Sequence, residues 1–150
     1  MIIRDILNMK GGAIFSAAPD SRVADAVGLM VKNDIGSLVV MSGGRMTGML
    51  TFREVLKALD AQHGNLADLR LQDVMVSDPV CGSPADTLDE VREVMTKNHV
   101  RYLPVTEGGK LLGVISFHDI AKAVIKETSF ENRLLKRYIK NRPDADDAAV

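Results

Sequence analysis

Ser116, His118 and Asp119 sit together in the stretch Gly113-Val-Ile-Ser-Phe-His-Asp119, and their types at that spacing suit the binding of a sugar phosphate. Val114 and Ile115 are β-branched, as a buried strand end requires, whereas Ile120, Ala121, Ala123 and Val124 begin a pattern of helical period. Ser116 therefore falls where a strand enters a helix. The free N–H groups of a helix start, with the positive end of the helix dipole, attract phosphate, and a serine there can cap the turn. Asp119, one turn on, offers two acceptor oxygens that match the two hydroxyls of a ribose diol. The same Ser-x-x-Asp spacing also suits a capping box, in which the side chains satisfy only their own helix start.

Other chemistry has weaker support. His63, His99 and His118 are far apart, with no His/Glu spacing of a zinc site, so no metal-ligating residues are assigned. Ser116 and His118 are i, i+2, and such neighbours on a helix do not face each other. Cys81 is the only cysteine, which excludes an intrachain disulfide; nothing marks its thiol as activated, and it reads as a buried structural residue. No residue is assigned a catalytic role.

Composition describes an ordinary globular protein: 150 residues, 46% hydrophobic, 26% charged, with a formal net charge of -1. That balance leaves no electrostatic footprint for nucleic acid. No apolar run approaches a membrane span, and the opening Met1-Ile-Ile-Arg-Asp5 carries charge where a signal peptide is apolar, so a cytoplasmic location is expected.

The elements that must position the site repeat. Ile2, Ile3, Ile6 and Leu7 predict a short N-terminal helix ended by Gly11 and Gly12; Ile14 and Phe15 predict a short strand. From Val23 to Lys32 apolar residues recur at helical spacing, and two apolar runs, Ile35–Met41 and Met46–Leu50, flank Gly43-Gly44 as a hairpin before a helix from Phe52 to about Gln62. Shifting the chain by 65 residues lays Val23–Leu59 on Leu88–Val124 without a gap. Eleven pairs are then identical: Met30/Met95, Lys32/Lys97, Asn33/Asn98, Leu38/Leu103, Val40/Val105, Gly43/Gly108, Gly44/Gly109, Gly48/Gly113, Phe52/Phe117, Lys57/Lys122 and Ala58/Ala123. Chance would supply about two or three, so the chain is an internal repeat. Each copy reads as strand, helix, strand, strand, helix. A unit of about sixty residues leaves apolar surface uncovered, so the copies should pack together about a pseudo-two-fold axis with two equivalent clefts where strand ends meet helix starts.

These tandem units, with the junction around Ser116 and the segment Val100-Arg-Tyr-Leu-Pro-Val105 before the second hairpin, resemble a CBS domain pair, or Bateman module. The resemblance spans about residues 14–126. It implies an α/β (α+β) fold of two β-α-β-β-α units packed sheet to sheet: an N-terminal segment 1–13 packing on the module, unit 1 over 14–62, a linker 63–76, unit 2 over 77–126, a C-terminal helix 127–141 and a disordered tail 142–150. It further implies a regulatory adenine nucleotide, AMP first and ATP, ADP, NAD or S-adenosylmethionine as alternatives, and a disk-like homodimer acting on an unknown client, without membrane or nucleic acid. The rival reading is a structural dimerisation module without ligand. By the same resemblance Ser116 takes the phosphate-side position, Asp119 the ribose position, Arg101 places a basic side chain toward the phosphates, Tyr102 follows it, and Val80 and Cys81 pass the adenine; His118, just before the aspartate, adds a charge near phosphate as pH falls. The first copy departs from the pattern. Glu54 replaces the aspartate, and Thr51-x-x-Glu54 suits a capping box better than a ribose clamp. Arg53 offers planar donors, while Gly36 and Ser37 stand where the second copy has Arg101 and Tyr102, so this cleft ranks second. The stripe Phe130, Leu134, Leu135, Tyr138 and Ile139 predicts a helix docked on its own body or across a dimer.

Overall fold

The computed structural model describes residues 1–141. The tail from 142 to 150, expected to be disordered, lies outside the described residues. In chain order the elements are α1 (Ile3–Lys10), β1 (Ser16–Ala17), α2 (Val23–Lys32), β2 (Ser37–Ser42), β3 (Arg45–Thr51), α3 (Phe52–Ala61), α4 (Leu71–Val74), α5 (Leu88–Lys97), β4 (Tyr102–Glu107), β5 (Lys110–Ser116) and α6 (Phe117–Asn141).

Each unit is built on an antiparallel hairpin, β2–β3 or β4–β5. Both hairpins turn on a Gly-Gly pair whose residues all have positive φ, the conformation such tight turns demand. The register slips at the same place in each, between Val40 and Met41 and between Val105 and Thr106, so the repeat extends to its irregularities. In the first unit β1 joins β2 in parallel, giving the order β1-β2-β3. The strand falls on Ser16 and Ala17 rather than on Ile14 and Phe15; Phe15 contributes only its carbonyl, which accepts from the Val39 N–H at 3.1 Å. In the second unit the expected first strand shrinks to a single bridge between Gly82 and Val105, and the sheet has two strands. Proline explains this: Pro104 occupies the place of Val39 and has no N–H to continue the ladder.

The two cores are closed by an exchange. Ile3 and Ile6 of α1 pack into the core of the second unit with Leu88, Val91, Leu103 and Ile115, whereas Leu71 of α4 packs into the core of the first with Val23, Leu38 and Leu50. Backbone bonds repeat the exchange: Ile3 N–H donates to the Asp86 carbonyl and Arg4 N–H to that of Pro84, each at 2.9 Å, as Leu71 and Gln72 donate to Ser21 and Pro19. An aspartate in the first turn of each short helix, Asp5 or Asp73, accepts from the backbone N–H ahead of it, at 3.0 and 2.8 Å. Gly48 and Gly113, one repeat apart, sit under these helices, where a Cβ would lie 2.7 Å from Met75 Sδ or 2.8 Å from Leu7 Cδ2. The sheets of the two units meet through β3 and β5.

The last helix of unit 2 and the C-terminal helix, expected as two elements, are one helix of 25 residues. No Gly or Pro interrupts Phe117–Asn141, so nothing stops propagation. Its first turns bury Ile120 and Ala123, but every residue from Thr128 to Asn141 is exposed, so the expected docking on its own body does not occur.

Because Ile3 and Leu71 are wholly buried in the partner unit's core, Ile3→Ala or Leu71→Ala should each lower the free energy of unfolding by about 2–5 kcal/mol. Urea denaturation checks this, and an N-terminal helix that merely decorates the surface would give a change near zero for Ile3→Ala.

Candidate functional site

The start of α6 opens onto a cleft of about 1040 Å³ between the units. Ser116, Phe117 and His118 form one side; Ile14, Phe15, Gly36 and Ser37 of the first unit, with Arg101, Tyr102 and Lys10, form the rest. The start of α3 opens onto a second cleft of about 720 Å³, lined by Thr51, Arg53 and Glu54 and by Asp78, Pro79 and Val80 of the other unit.

The units cross over, and this regroups the expected residues. Val80, expected beside Ser116, lies instead in the cleft of Thr51 and Glu54; Gly36 and Ser37, expected beside Thr51, lie in the cleft of Ser116. Each helix start faces the entering segment of the opposite unit, Ile14 and Phe15 at α6 and Asp78, Pro79 and Val80 at α3. Cys81 lines neither cleft. It is exposed rather than buried, its Sγ lies 3.3 Å from the Pro79 carbonyl, and partial burial together with the nearby Asp78 raises its pKa, which keeps the thiol protonated.

A single partition separates the clefts. Phe52, His99, Val100, Arg101 and Tyr102 line both. The Phe52 and Tyr102 rings meet edge to face with centroids 6.2 Å apart, and the Arg101 guanidinium lies 5.5 Å over Phe52. Gly36 is required here: a Cβ at that position would collide with the Tyr102 hydroxyl. Arg53 reaches across the seam to donate to the His99 carbonyl at 3.2 Å.

Both strand-to-helix junctions are capping boxes. Thr51 Oγ1 donates to the Glu54 carboxylate at 3.0 Å while Glu54 accepts from the Thr51 N–H at 3.2 Å, and Glu54 is buried. Asp119 accepts from the Ser116 N–H at 2.9 Å, and its own N–H donates to Ser116 Oγ at 3.0 Å. Ser116 nevertheless lines the larger cleft, whereas the Asp119 carboxylate stands behind Lys10, whose Nζ donates to it at 2.7 Å and to the Val114 carbonyl at 2.9 Å. Burial pushes the Asp119 pKa up, but the Lys10 ammonium and the Ser116 hydrogen bonds outweigh it and hold the carboxyl below its ordinary value.

The larger cleft can therefore hold an anion between Lys10 and Arg101, with His118 on its wall and Phe15, Phe117 and Tyr102 supplying an apolar face. The first turn of α6 has already committed two N–H groups, that of Phe117 to the Arg101 carbonyl at 2.7 Å and that of Asp119 to Ser116. Side-chain cations consequently carry most of the attraction. Sequence reasoning missed Lys10, Phe15 and Phe52 as cleft residues. Phe52 and Phe117 had a signal in their identity across the repeat; Lys10 had none, since it ends a helix outside the repeat. Among the described residues no group of three or more His, Cys, Asp and Glu could hold a metal ion, and no helix is long and apolar enough to cross a membrane.

The chain is similar to known proteins in both sequence and fold. The profile of the CBS domain matches residues 3–61 and again 71–126. The CBS domain-containing protein CBSX3, mitochondrial, of Arabidopsis thaliana is 27% identical over 146 residues, 91% of this chain and 71% of that protein. A CBS-domain-containing protein of Agrobacterium tumefaciens superposes with a TM-score of 0.79 at 31% identity, covering 82% of this chain and 98% of that one. The CBS domain pair of protein MJ0100, solved with 5′-methylthioadenosine and S-adenosyl-L-methionine, shares the fold with a TM-score of 0.74 at 20% identity over 85% of this chain and 98% of that one.

The ion pair at Asp119 sets a pH dependence. A carboxyl whose folded pKa is depressed contributes stability above its ordinary value near 4, and that contribution is lost as pH falls through the depressed value. Asp119→Asn keeps an acceptor for the cap and removes the charge, so it should cost about 0.5–1 kcal/mol at neutral pH, a range set by the partly exposed Lys10. Unfolding measured from pH 7 down to pH 2 should show the gap between wild type and variant closing; a gap constant with pH would refute the ion pair.

Proposed function

The chain belongs to the CBS domain family, of which it carries two tandem copies, and from that premise we propose that it is a non-catalytic sensor of adenine nucleotides. The observation that carries this reading is the larger cleft, where Ser116, Lys10, Arg101 and His118 converge on a space framed by aromatic rings and large enough for a nucleotide. AMP is the preferred ligand, with ATP, ADP, NAD(H) and S-adenosylmethionine as alternatives; the adenosine compounds bound to the MJ0100 pair support that class. Phosphate lies toward Ser116, Arg101 and His118, and the ribose takes the Asp119 carboxylate once Lys10 yields it. Tyr102 and the Ile14–Phe15 segment flank the base. The smaller cleft, with Thr51, Arg53, Glu54 and Val80, is the weaker site, since Glu54 stands where the second copy has Asp119 and is buried in its own cap. The protein acts as a cytoplasmic homodimer on a client protein. Ligand shifts its conformation only by differential affinity for two states, and the partition of Phe52, Arg101 and Tyr102 is the element that both clefts touch.

One observation favours a second reading, a dimerisation module without ligand: both caps are closed and Asp119 is already paired with Lys10.

Thermal unfolding with millimolar AMP, ATP, NADH or S-adenosylmethionine distinguishes the two, because a ligand of the native state at a hundred times its Kd adds about 2.7 kcal/mol of stability. A selective rise is expected; no rise with any of them leaves the dimerisation module. Asp119→Ala should weaken binding by about 1.5–3 kcal/mol, the range of a charge-assisted hydrogen bond, and Glu54→Ala by less. Titration calorimetry reads both, and equal losses would overturn the ranking of the clefts. Arg101→Ala should weaken binding at whichever cleft fills, since its guanidinium borders both.

A further inference from the structure

A ligand of the larger cleft meets Lys10 before it meets Asp119. Lys10 lines that cleft together with Val114 and Ser116, whereas Asp119 does not line it. The Lys10 ammonium donates to Asp119 Oδ2 at 2.7 Å and to the Val114 carbonyl at 2.9 Å, and the aspartate side chain is 17% exposed against 38% for the lysine. The lysine is thus a cover over the carboxylate. Its base is fixed, because Lys10 is the last residue of α1, whose Ile3 and Ile6 are buried in the second core, and Gly11 closes the helix with its N–H on the Leu7 carbonyl. Its arm is not fixed: a flexible four-carbon stem can carry the ammonium from one acceptor to another while the helix stays docked.

Such a hand-over carries a condition on charge. Lifting the ammonium off Asp119 breaks a charge-assisted bond and leaves it only the neutral Val114 carbonyl. A ligand that brings a pair of hydroxyls and no charge satisfies the carboxylate but abandons the ammonium. A ligand that also brings an anion satisfies both, since the hydroxyls replace Lys10 on Asp119 and the anion takes Lys10, with Arg101 as the second cation on the wall. Asp34 lines the same cleft and opposes an anion, so Lys10 and Arg101 are needed together to favour one. We propose that Lys10 selects the charge of the ligand: it keeps Asp119 covered against neutral and cationic adenosine compounds and passes to the anion of phosphorylated ones. This role rests on the nucleotide reading above and narrows its ligand class to nucleoside phosphates, AMP rather than adenosine, 5′-methylthioadenosine or the sulfonium S-adenosylmethionine.

Titration calorimetry of the full chain with AMP and with adenosine tests it. Wild type should bind AMP at least about tenfold more tightly than adenosine, the factor that one charge-assisted hydrogen bond supplies. Lys10→Met keeps the length of the stem and drops the charge. It should weaken AMP and tighten adenosine, each several-fold, so that the two Kd values converge, whereas Lys10→Arg should preserve the preference. With Asp119→Ala as background, Lys10→Met should no longer tighten adenosine, because no carboxylate is left to uncover. Circular dichroism and melting of each variant verify the fold. A Lys10→Met variant that keeps the wild-type ratio of affinities overturns the selection and leaves the nucleotide reading in place. AMP weakened with adenosine unchanged makes Lys10 a phosphate contact and overturns the cover, as does a tightening of adenosine that persists without Asp119. A wild type that binds adenosine or S-adenosylmethionine more tightly than AMP overturns the selection alone. Only a wild type that binds none of these compounds overturns the nucleotide reading, and this role falls with it.

Discussion

Neither half of this chain can close its own core. A sheet of two or three short strands with two flanking helices leaves an apolar edge, and each unit covers that edge with a short helix that precedes the other unit in the chain. Ile3 enters the core around Leu103 and Ile115; Leu71 enters the core around Leu38 and Leu50. Burial of a side chain of this size is worth about 1.5–3 kcal/mol, and the same contact fixes how the two units face each other. The exchange therefore supplies cohesion and geometry at once, and the clefts exist because of it.

The packing of one unit on the other makes each cleft a hybrid. The junction at Ser116 faces Phe15 and Gly36, and the junction at Thr51 faces Pro79 and Val80. A perfect repeat would have produced two equal clefts, but this one is imperfect where it matters. The second copy places Arg101 and Tyr102 where the first has Gly36 and Ser37, and Tyr102 fills the space that Gly36 leaves. One guanidinium and one phenol ring thus form a wall that both clefts share. Whatever binds on one side touches groups that border the other.

The Asp119 carboxylate shows the balance on which a nucleotide reading turns. It caps α6, pairs with Lys10 and remains mostly shielded, so it stabilises the fold with the same oxygens that a ribose would claim. Lys10 ends the helix that closes the second core, so the state of the cleft is tied to the docking of α1. At the other end of α6 lies the uncovered stripe around Leu134. One helix, without a break, joins the candidate site to that exposed stripe.

The sequence by itself determined what depends on neighbours along the chain. Helical period in Val23–Lys32, the Gly-Gly turns, the cap spacing at Thr51 and Ser116 and the shift of 65 residues all act within a few residues or repeat at fixed distance, so the hairpins, helix starts and duplication were legible without coordinates. Tertiary structure alone decided which entering segment meets which helix start, that Lys10 reaches Asp119, that Cys81 stays on the surface and that the end of α6 stands free. Those outcomes depend on how two bodies dock across the seam, and no spacing within one segment records the position of another segment far away in the chain. Pro104 marks the boundary between the two kinds of information: its missing N–H was written in the sequence, but only its place beside the lone Gly82–Val105 bridge showed that it ends a strand before it begins.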